Sequence, residues 1–213
     1  MLSPELLLLI DAWSCEAMNE YSLSNAHRPW AESVDAFADY FGGSVSKQET
    51  FETLFQTVCQ KFLGKNHIQI IRKNTREALP KIQSTYSDRG FDLIYIDANH
   101  QYETVLDDLL DYAQLLSQTG VLQLNDCCHS SAGIKQNLGV LEAVNRFAKQ
   151  MDFIPVAITN TDFSDVLLVH RQNPMVDLID SVIKQSNISY VDIPLQLLGA
   201  AKIIDGSGKM SFV

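Results

Sequence analysis

Between Phe91 and Asp126 the chain reads FDLIYIDANHQYETVLDDLLDYAQLLSQTGVLQLND, and its apolar residues change spacing twice. That double change constrains the fold more than any other feature. "FDLIYID" is a short run rich in β-branched and aromatic residues, the pattern of a buried strand. "QYETVLDDLLDYAQLLS" places Val105, Leu109, Tyr112 and Leu116 on one helical stripe, with Asp107, Asp108 and Asp111 expected to face water. "TGVLQLND" returns to strand after a turn at Gly120. Between the first strand and the helix stand Asp97, Asn99 and His100, three polar side chains where a buried strand emerges.

The alternation extends along the chain. "LLLLIDAW" (residues 6–13) is too short for a helix and reads as a buried strand ending near Asp11. Residues 14–48 are polar, contain Pro29, Gly42 and Gly43, and read as loop with a short helix near "SVDAFADYF". "KQETFETLFQTVCQKFLG" puts Phe51, Leu54, Phe55, Val58 and Phe62 on one face, with Gly64 as the stop. "HIQIIRKN" is a strand, and "TREALPKI" is a short helix capped by Asn74 or Thr75 and limited by Pro80. "NLGVLEAVNRFAKQM" is a helix, and "DFIPVAIT" and "SDVLLVHR" are strands joined by the turn-like "NTDF". Such a pattern, apolar on both strand faces, indicates α/β: a mostly parallel sheet covered on both sides, with an antiparallel hairpin at its edge. Residues 1–172 make up this domain. Residues 173–213, a helix over "NPMVDLIDSVIKQS" and a hairpin over "AKIIDGSGKMSFV", read as an appendage outside the sheet. It suits covering a site or making the dimer contact of a homo-oligomer.

Composition narrows the partners. With 46% apolar and 20% charged residues the chain fits a globular protein, and its net charge of −10 disfavours nucleic acid and anionic membrane surfaces. No stretch approaches membrane-spanning length, and "MLSPELLLLIDAWSC" lacks the basic start of a signal peptide. Cys15, Cys59, Cys127 and Cys128 do not form a disulfide framework at this length, and the adjacent Cys127, Cys128 and His129 lack zinc spacing. A cytoplasmic protein with reduced thiols is expected.

In parallel sheets ligands sit at the carboxyl ends of the strands. The residues there are Asp11, Asn74, Asp97 and the pair Asn125–Asp126. Acids also serve turns and helix caps, so each carries a structural reading beside the functional one.

These residues resemble a known family. "FDLIYIDANHQYETVLDDLLDYAQLLSQTGVLQLND" followed by "GVLEAVNRF" is similar to class I S-adenosylmethionine-dependent methyltransferases. It is nearest to the small-molecule O-methyltransferase branch with the methyltransferase-24 and cephalosporin-hydroxylase-like groups. The matching residues are Asp97, His100, Tyr102, Gly120 and Asp126, and the likeness spans roughly residues 5–171. The resemblance implies a Rossmann-like sheet and S-adenosyl-L-methionine as cofactor. Asp11 would bind its ribose hydroxyls, Asn74 and Thr75 would border its adenine, and Asp97 would lie between cofactor and acceptor. It further implies a magnesium-type ion on Asp97, Asn125 and Asp126, with His100 and Asp126 as catalytic groups. The plainer alternatives are Asp11 in a loop cap, Thr75 in a helix cap, His100 as a brace to Asp126, and Tyr102 in packing.

Two positions depart from the family pattern: Asn125 stands for the usual His or Glu, and Thr119 for the second turn glycine. The family's first strand and its Gly-x-Gly loop have no counterpart before "LLLLIDAW", so the sheet reads as N-terminally truncated. That strand lies between those resembled by "LLLLIDAW" and "FDLIYID". Either these two strands close on each other, or the tail or a second chain fills the slot. In both cases weak or absent cofactor binding by this chain alone is expected. The function read from the sequence is methyl transfer to a small hydroxylated molecule, the alternative being a non-catalytic remnant of the fold that binds a partner.

Overall fold

The computed structural model describes residues 4–18, 38–86, 88–127, 139–161, 163–191, 202–204 and 209–211. Cys128 and His129, and most of the polar segment 14–48, lie outside them. The chain divides into two compact units, Met1–Lys81 and Ile82–Val213; residue 172, the boundary read from the order of strands and helices, falls inside the second.

In the first unit, β1 (Leu7–Ile10) and β2 (Ile68–Ile71) pair in parallel, Leu7 opposite Ile68 and Ile10 opposite Ile71. The connection includes α1 (Ala38–Phe41) and α2 (Gln48–Cys59), which a 3-10 turn extends through Phe62. Gly64 follows at φ 77°, the left-handed conformation that only glycine adopts without strain. α2 buries Phe51, Phe55 and Cys59, while Val58 is exposed. The expected stripe therefore runs through the thiol and not through Val58, because residues four apart stack more closely on one face. Arg72, just beyond β2, lies over the Phe55 ring at 4.4 Å and pairs with Glu52 through both terminal nitrogens.

α3 (Thr75–Tyr86) starts at Asn74, whose Oδ1 accepts the Glu77 N–H at 2.9 Å. It then runs past Pro80 to Tyr86, contrary to the expected short helix. Proline removes one helical N–H, but the fully buried Ala78 and Ile82 on either side anchor the helix across that gap.

The second unit holds a five-stranded sheet. Its order is β3 (Phe91–Ile96), β4 (Leu116–Leu124), β6 (Val166–His170), β5 (Phe153–Thr159) and β7 (Tyr190–Val191). β3 and β4 are parallel, whereas β6 runs antiparallel to both β4 and β5. The hairpin expected at the sheet edge is thus folded inward, with β6 inserted beside β4. Burial explains it: Val166, Leu168 and Val169 are all fully enclosed, which an edge strand cannot achieve.

α4 (Tyr102–Tyr112) and α5 (Val140–Met151) cover one face. Val105 and Leu109 join Leu122, Leu124, Val144, Phe147, Ile158 and Leu168 in the main core. Asp108, expected to face water, is buried, and one turn on burial pushes the Tyr112 phenol upward in pKa. The other face is not fully covered. Leu93 and Tyr95 of β3 are 57% and 48% exposed, so the apolar run of β3 is not buried on both of its faces.

Gly120 lies within β4 and not in a turn before it. A Cβ there would come within 2.7 Å of the Phe91 carbonyl oxygen, at the bulge where the β3–β4 register shifts. From the C-terminal segment, α6 (Val176–Gln185) and the hairpin β8 (Lys202–Ile204) and β9 (Lys209–Ser211) form as expected. β7, however, joins the main sheet beside β5.

β1 pairs with β2, and β3 with β4; among the described residues no strand lies on the outer edge of β3, and β8 and β9 pair only with each other. Among the described residues β1 does not pair with β3, and no strand of the tail pairs with β3.

Candidate active site

Each polar side chain at the carboxyl edge of the second sheet is placed by a strand end. β3 releases Asp97 and β4 releases Asn125 and Asp126, since the last ladder pair, Ile96 opposite Leu124, ends both strands together. The Asn125 N–H still donates to the Ile96 carbonyl at 3.0 Å. Beyond Asp97 the chain turns on Asn99, whose Oδ1 accepts the Gln101 N–H at 2.8 Å, and this returns His100 toward the strand ends.

His100 Nε2 stands 3.6 Å from Asp97 Oδ1 and 3.7 Å from Asp126 Oδ2. Two carboxylates from neighbouring strands thus bracket one buried ring nitrogen at ion-pair distance. From behind, the Gly139 N–H donates to the His100 carbonyl at 2.8 Å, joining the start of α5 to this loop. A Cβ at Gly139 would stand 2.5 Å from the Tyr102 nitrogen, so only glycine permits this approach. Tyr102 opens α4 and packs on the core, as its plainer reading held.

Asp126 is held at φ 57°, a left-handed conformation that Asp tolerates better than most residues. Burial is the main cause that pushes its carboxyl above the ordinary range; Asp97 and Asp165 add to the rise, and His100 opposes it. The Tyr95 phenol, on the same edge, is pushed up to about 12 by burial first, then by Asp97, Asp165 and Asp126. A hydrogen bond with Asn125 opposes that rise.

Residues 12–127, over half of the chain, match the methyltransferase-24 family model, described as a methyltransferase domain. The chain belongs to that family of class I S-adenosylmethionine-dependent methyltransferases. No curated protein matches it. The matched segment of the methyltransferase contains Asn74, Thr75, Asp97, His100, Asn125 and Asp126, and begins one residue after Asp11.

In the second unit the structure brings together Asp97, His100, Asn125 and Asp126. Asp11, Asn74 and Thr75 belong to the first. Asp11 follows β1 with an exposed carboxylate, and its Oδ1 accepts the Trp13 N–H at 2.6 Å. Trp13 itself is at φ 47°, edge-on to Phe55, and its carbonyl accepts from Gln48. Asn74 spends its Oδ1 on the helix cap, and Thr75 is the first helical residue.

The donor set does not suit a divalent ion on Asp97, Asn125 and Asp126. The two carboxylates converge on an imidazole nitrogen, and Asn125, bonded to Asp165 through Nδ2 at 2.9 Å, could offer only a neutral amide oxygen. Among the described residues no group of three or more His, Cys, Asp or Glu is placed to hold a metal. Nor is any helix among them long and apolar enough to cross a membrane.

Sequence reasoning missed Tyr95, Gly139 and Asp165. Tyr95 was taken as part of an apolar run, although it lies two residues before Asp97 and so shares its face. Asp165 immediately precedes β6. Because β6 is antiparallel to β4, its start reaches the same edge as the carboxyl end of β4.

Proposed function

We propose that the methyltransferase transfers a methyl group to a hydroxyl oxygen of a small molecule, with the proton of that hydroxyl taken up by the His100–Asp126 pair. The observation that supports this reading is the placement of His100 Nε2 between Asp97 and Asp126. Bound S-adenosylmethionine would supply an electrophilic methyl group. Asp11 would accept its ribose hydroxyls, Asn74 and Thr75 would border its adenine, and Asp97 would stand beside the transferred methyl.

The residues then divide the work. An imidazole can accept a hydroxyl proton near neutral pH, so His100 is the base. The imidazolium so formed is stabilised by the carboxylates of Asp97 and Asp126. Holding the acceptor oxygen in line with the methyl group is the larger contribution, because orientation replaces a bimolecular encounter. The test is methyl transfer from S-adenosylmethionine to a panel of small hydroxylated molecules, read as release of S-adenosylhomocysteine. His100→Gln keeps a donor near the Nε2 position but removes the base. A loss of roughly 100-fold or more fits general-base catalysis, and retained turnover returns His100 to a brace.

A second reading, a methyltransferase fold that binds without turnover, is favoured by the outer edge of β3, on which no strand lies among the described residues. On that reading this chain binds S-adenosylmethionine weakly or not at all, and calorimetry showing a tight stoichiometric complex excludes it.

A further inference from the structure

The polar row at the carboxyl edge has a third member that the family match does not reach. Register places Ile96 opposite Leu124 and Leu124 opposite Val166, so one step further Asp97, Asn125 and Asp165 stand side by side across three strands. Asp165 uses both carboxylate oxygens on neighbouring carboxamides: Oδ2 accepts from Gln123 Nε2 at 2.7 Å and Oδ1 from Asn125 Nδ2 at 2.9 Å. A carboxylate only accepts, so both amides must present their NH2 groups to it and turn their oxygens elsewhere. The orientation of Asn125 between two acids is therefore tied to residue 165, with Tyr95 as a further hydrogen-bond partner.

The turn that carries Asp165 grips the same stretch by its backbone. The Cys127 N–H donates to the Ser164 carbonyl at 2.6 Å, and Ser164, fully buried, donates its hydroxyl to the Thr161 carbonyl at 2.8 Å. The Asp165 N–H donates to Thr159 Oγ1 at 2.8 Å, while the Thr159 N–H donates to the Asp165 carbonyl at 2.9 Å. Asp126 thus lies between two pinned residues, Asn125 and Cys127. A left-handed non-glycine residue persists where its surroundings over-determine it, and here the β5–β6 turn supplies that constraint.

We propose that Asp165 is a positioning residue for the methyltransferase site: it orients Asn125 and, with Ser164, holds Asp126 against His100. The inference rests on the reading of His100 and Asp126 given above, but it concerns a residue outside the matched segment.

The test is Asp165→Asn alone and combined with Gln123→Glu. A carboxamide at 165 can accept from only one of its two neighbours at a time through a single oxygen, and it faces the other with a donor. In the double variant the carboxylate at 123 accepts from the amide at 165, whose oxygen again accepts from Asn125. Two readouts are taken. Side-chain amide signals of Asn125 in nitrogen–proton spectra are expected to shift in Asp165→Asn and to return in the double variant. Turnover on an acceptor found in the panel is expected to fall roughly tenfold or more with KM within about twofold, and to recover in the double variant.

Unchanged Asn125 signals in Asp165→Asn overturn the inference and leave the proposed function standing. So does a shift that leaves turnover intact. If Asp165→Asn does not fold, the double variant decides alone: near-native turnover supports the inference and its loss overturns it. Absence of methyl transfer by the unaltered protein to every acceptor overturns the proposed function and with it the positioning role of Asp165 in turnover. The amide spectra separate that failure from a failure of the geometry.

Discussion

Replacing Gly139 by alanine introduces one methyl group where the chain has no room for it. The added carbon would lie 2.5 Å from the Tyr102 nitrogen and 2.8 Å from its Cα and Cβ. Two of these atoms are backbone, so no rotamer change relieves the contact. The backbone at Gly139 is at φ −106°, which alanine adopts freely, so the cost is steric and not conformational. To restore ordinary contact the start of α4 must retreat by roughly 1 Å, at an overpacking cost of about 1–3 kcal/mol. For a chain of this length that corresponds to a fall of roughly 2–12 °C in unfolding midpoint. The same retreat strains the Gly139 N–H bond to the His100 carbonyl, and an error of ~1 Å in a catalytic group can reduce turnover about 100-fold. Gly42→Ala is the matched control: its φ is 72° but no atom lies within 4 Å of the added carbon. That variant should lose only the ~1–2 kcal/mol of left-handed strain and keep its turnover. Thermal unfolding followed by circular dichroism, with methyl transfer measured on both variants, makes the comparison. A Gly139→Ala protein with native midpoint and native turnover refutes the reasoning.

Asp126→Asn should abolish most turnover yet raise stability near neutral pH. A carboxyl whose folded pKa is raised binds its proton more tightly when folded, so stability falls as pH rises from the ordinary value of 3.8 through the raised one. The variant's advantage should therefore vanish in acid, and denaturant titrations at both pH values check it. Asp11→Ala should weaken S-adenosylhomocysteine binding by ~1–3 kcal/mol in calorimetry, for one lost charged acceptor; unchanged affinity removes Asp11 from the site. Pro80→Ala, at an exposed position inside α3, should stabilise the helix by about 1–3 kcal/mol by restoring one N–H, measured by chemical denaturation.

The strands were legible because each is a short apolar run closed by a polar residue, and Asp97, Asn125 and Asp126 were found by asking where such runs end. The same question could not find Asp165. It looks only at carboxyl ends, whereas an antiparallel strand brings its beginning to that edge. Nor could it show that Asn125 is oriented by a residue 40 positions away, because that pairing depends on β6 lying beside β4. Pro80 misled for the opposite reason: a strong local rule was overridden by burial at Ala78 and Ile82. The Val58 error was one of phase, since a face counted from apolar residues alone passed over the buried Cys59.

The insertion of β6 between β4 and β5 also sets an order of assembly. β4 leaves the ribosome with its carboxyl-terminal residues unpaired on one side, and the strand that completes it arrives only with residues 166–170. β5 is made in between, yet it reaches the sheet only through β6. The α4–β4 region can therefore gather early through nearby contacts, while the edge bearing Asp126 must wait for a long loop to close, the slower kind of step. A nascent or clipped chain ending before residue 165 carries His100, Asp97 and Asp126 but no clamp on the last of them. Competence for chemistry arrives late in folding, after most of the core that supports it.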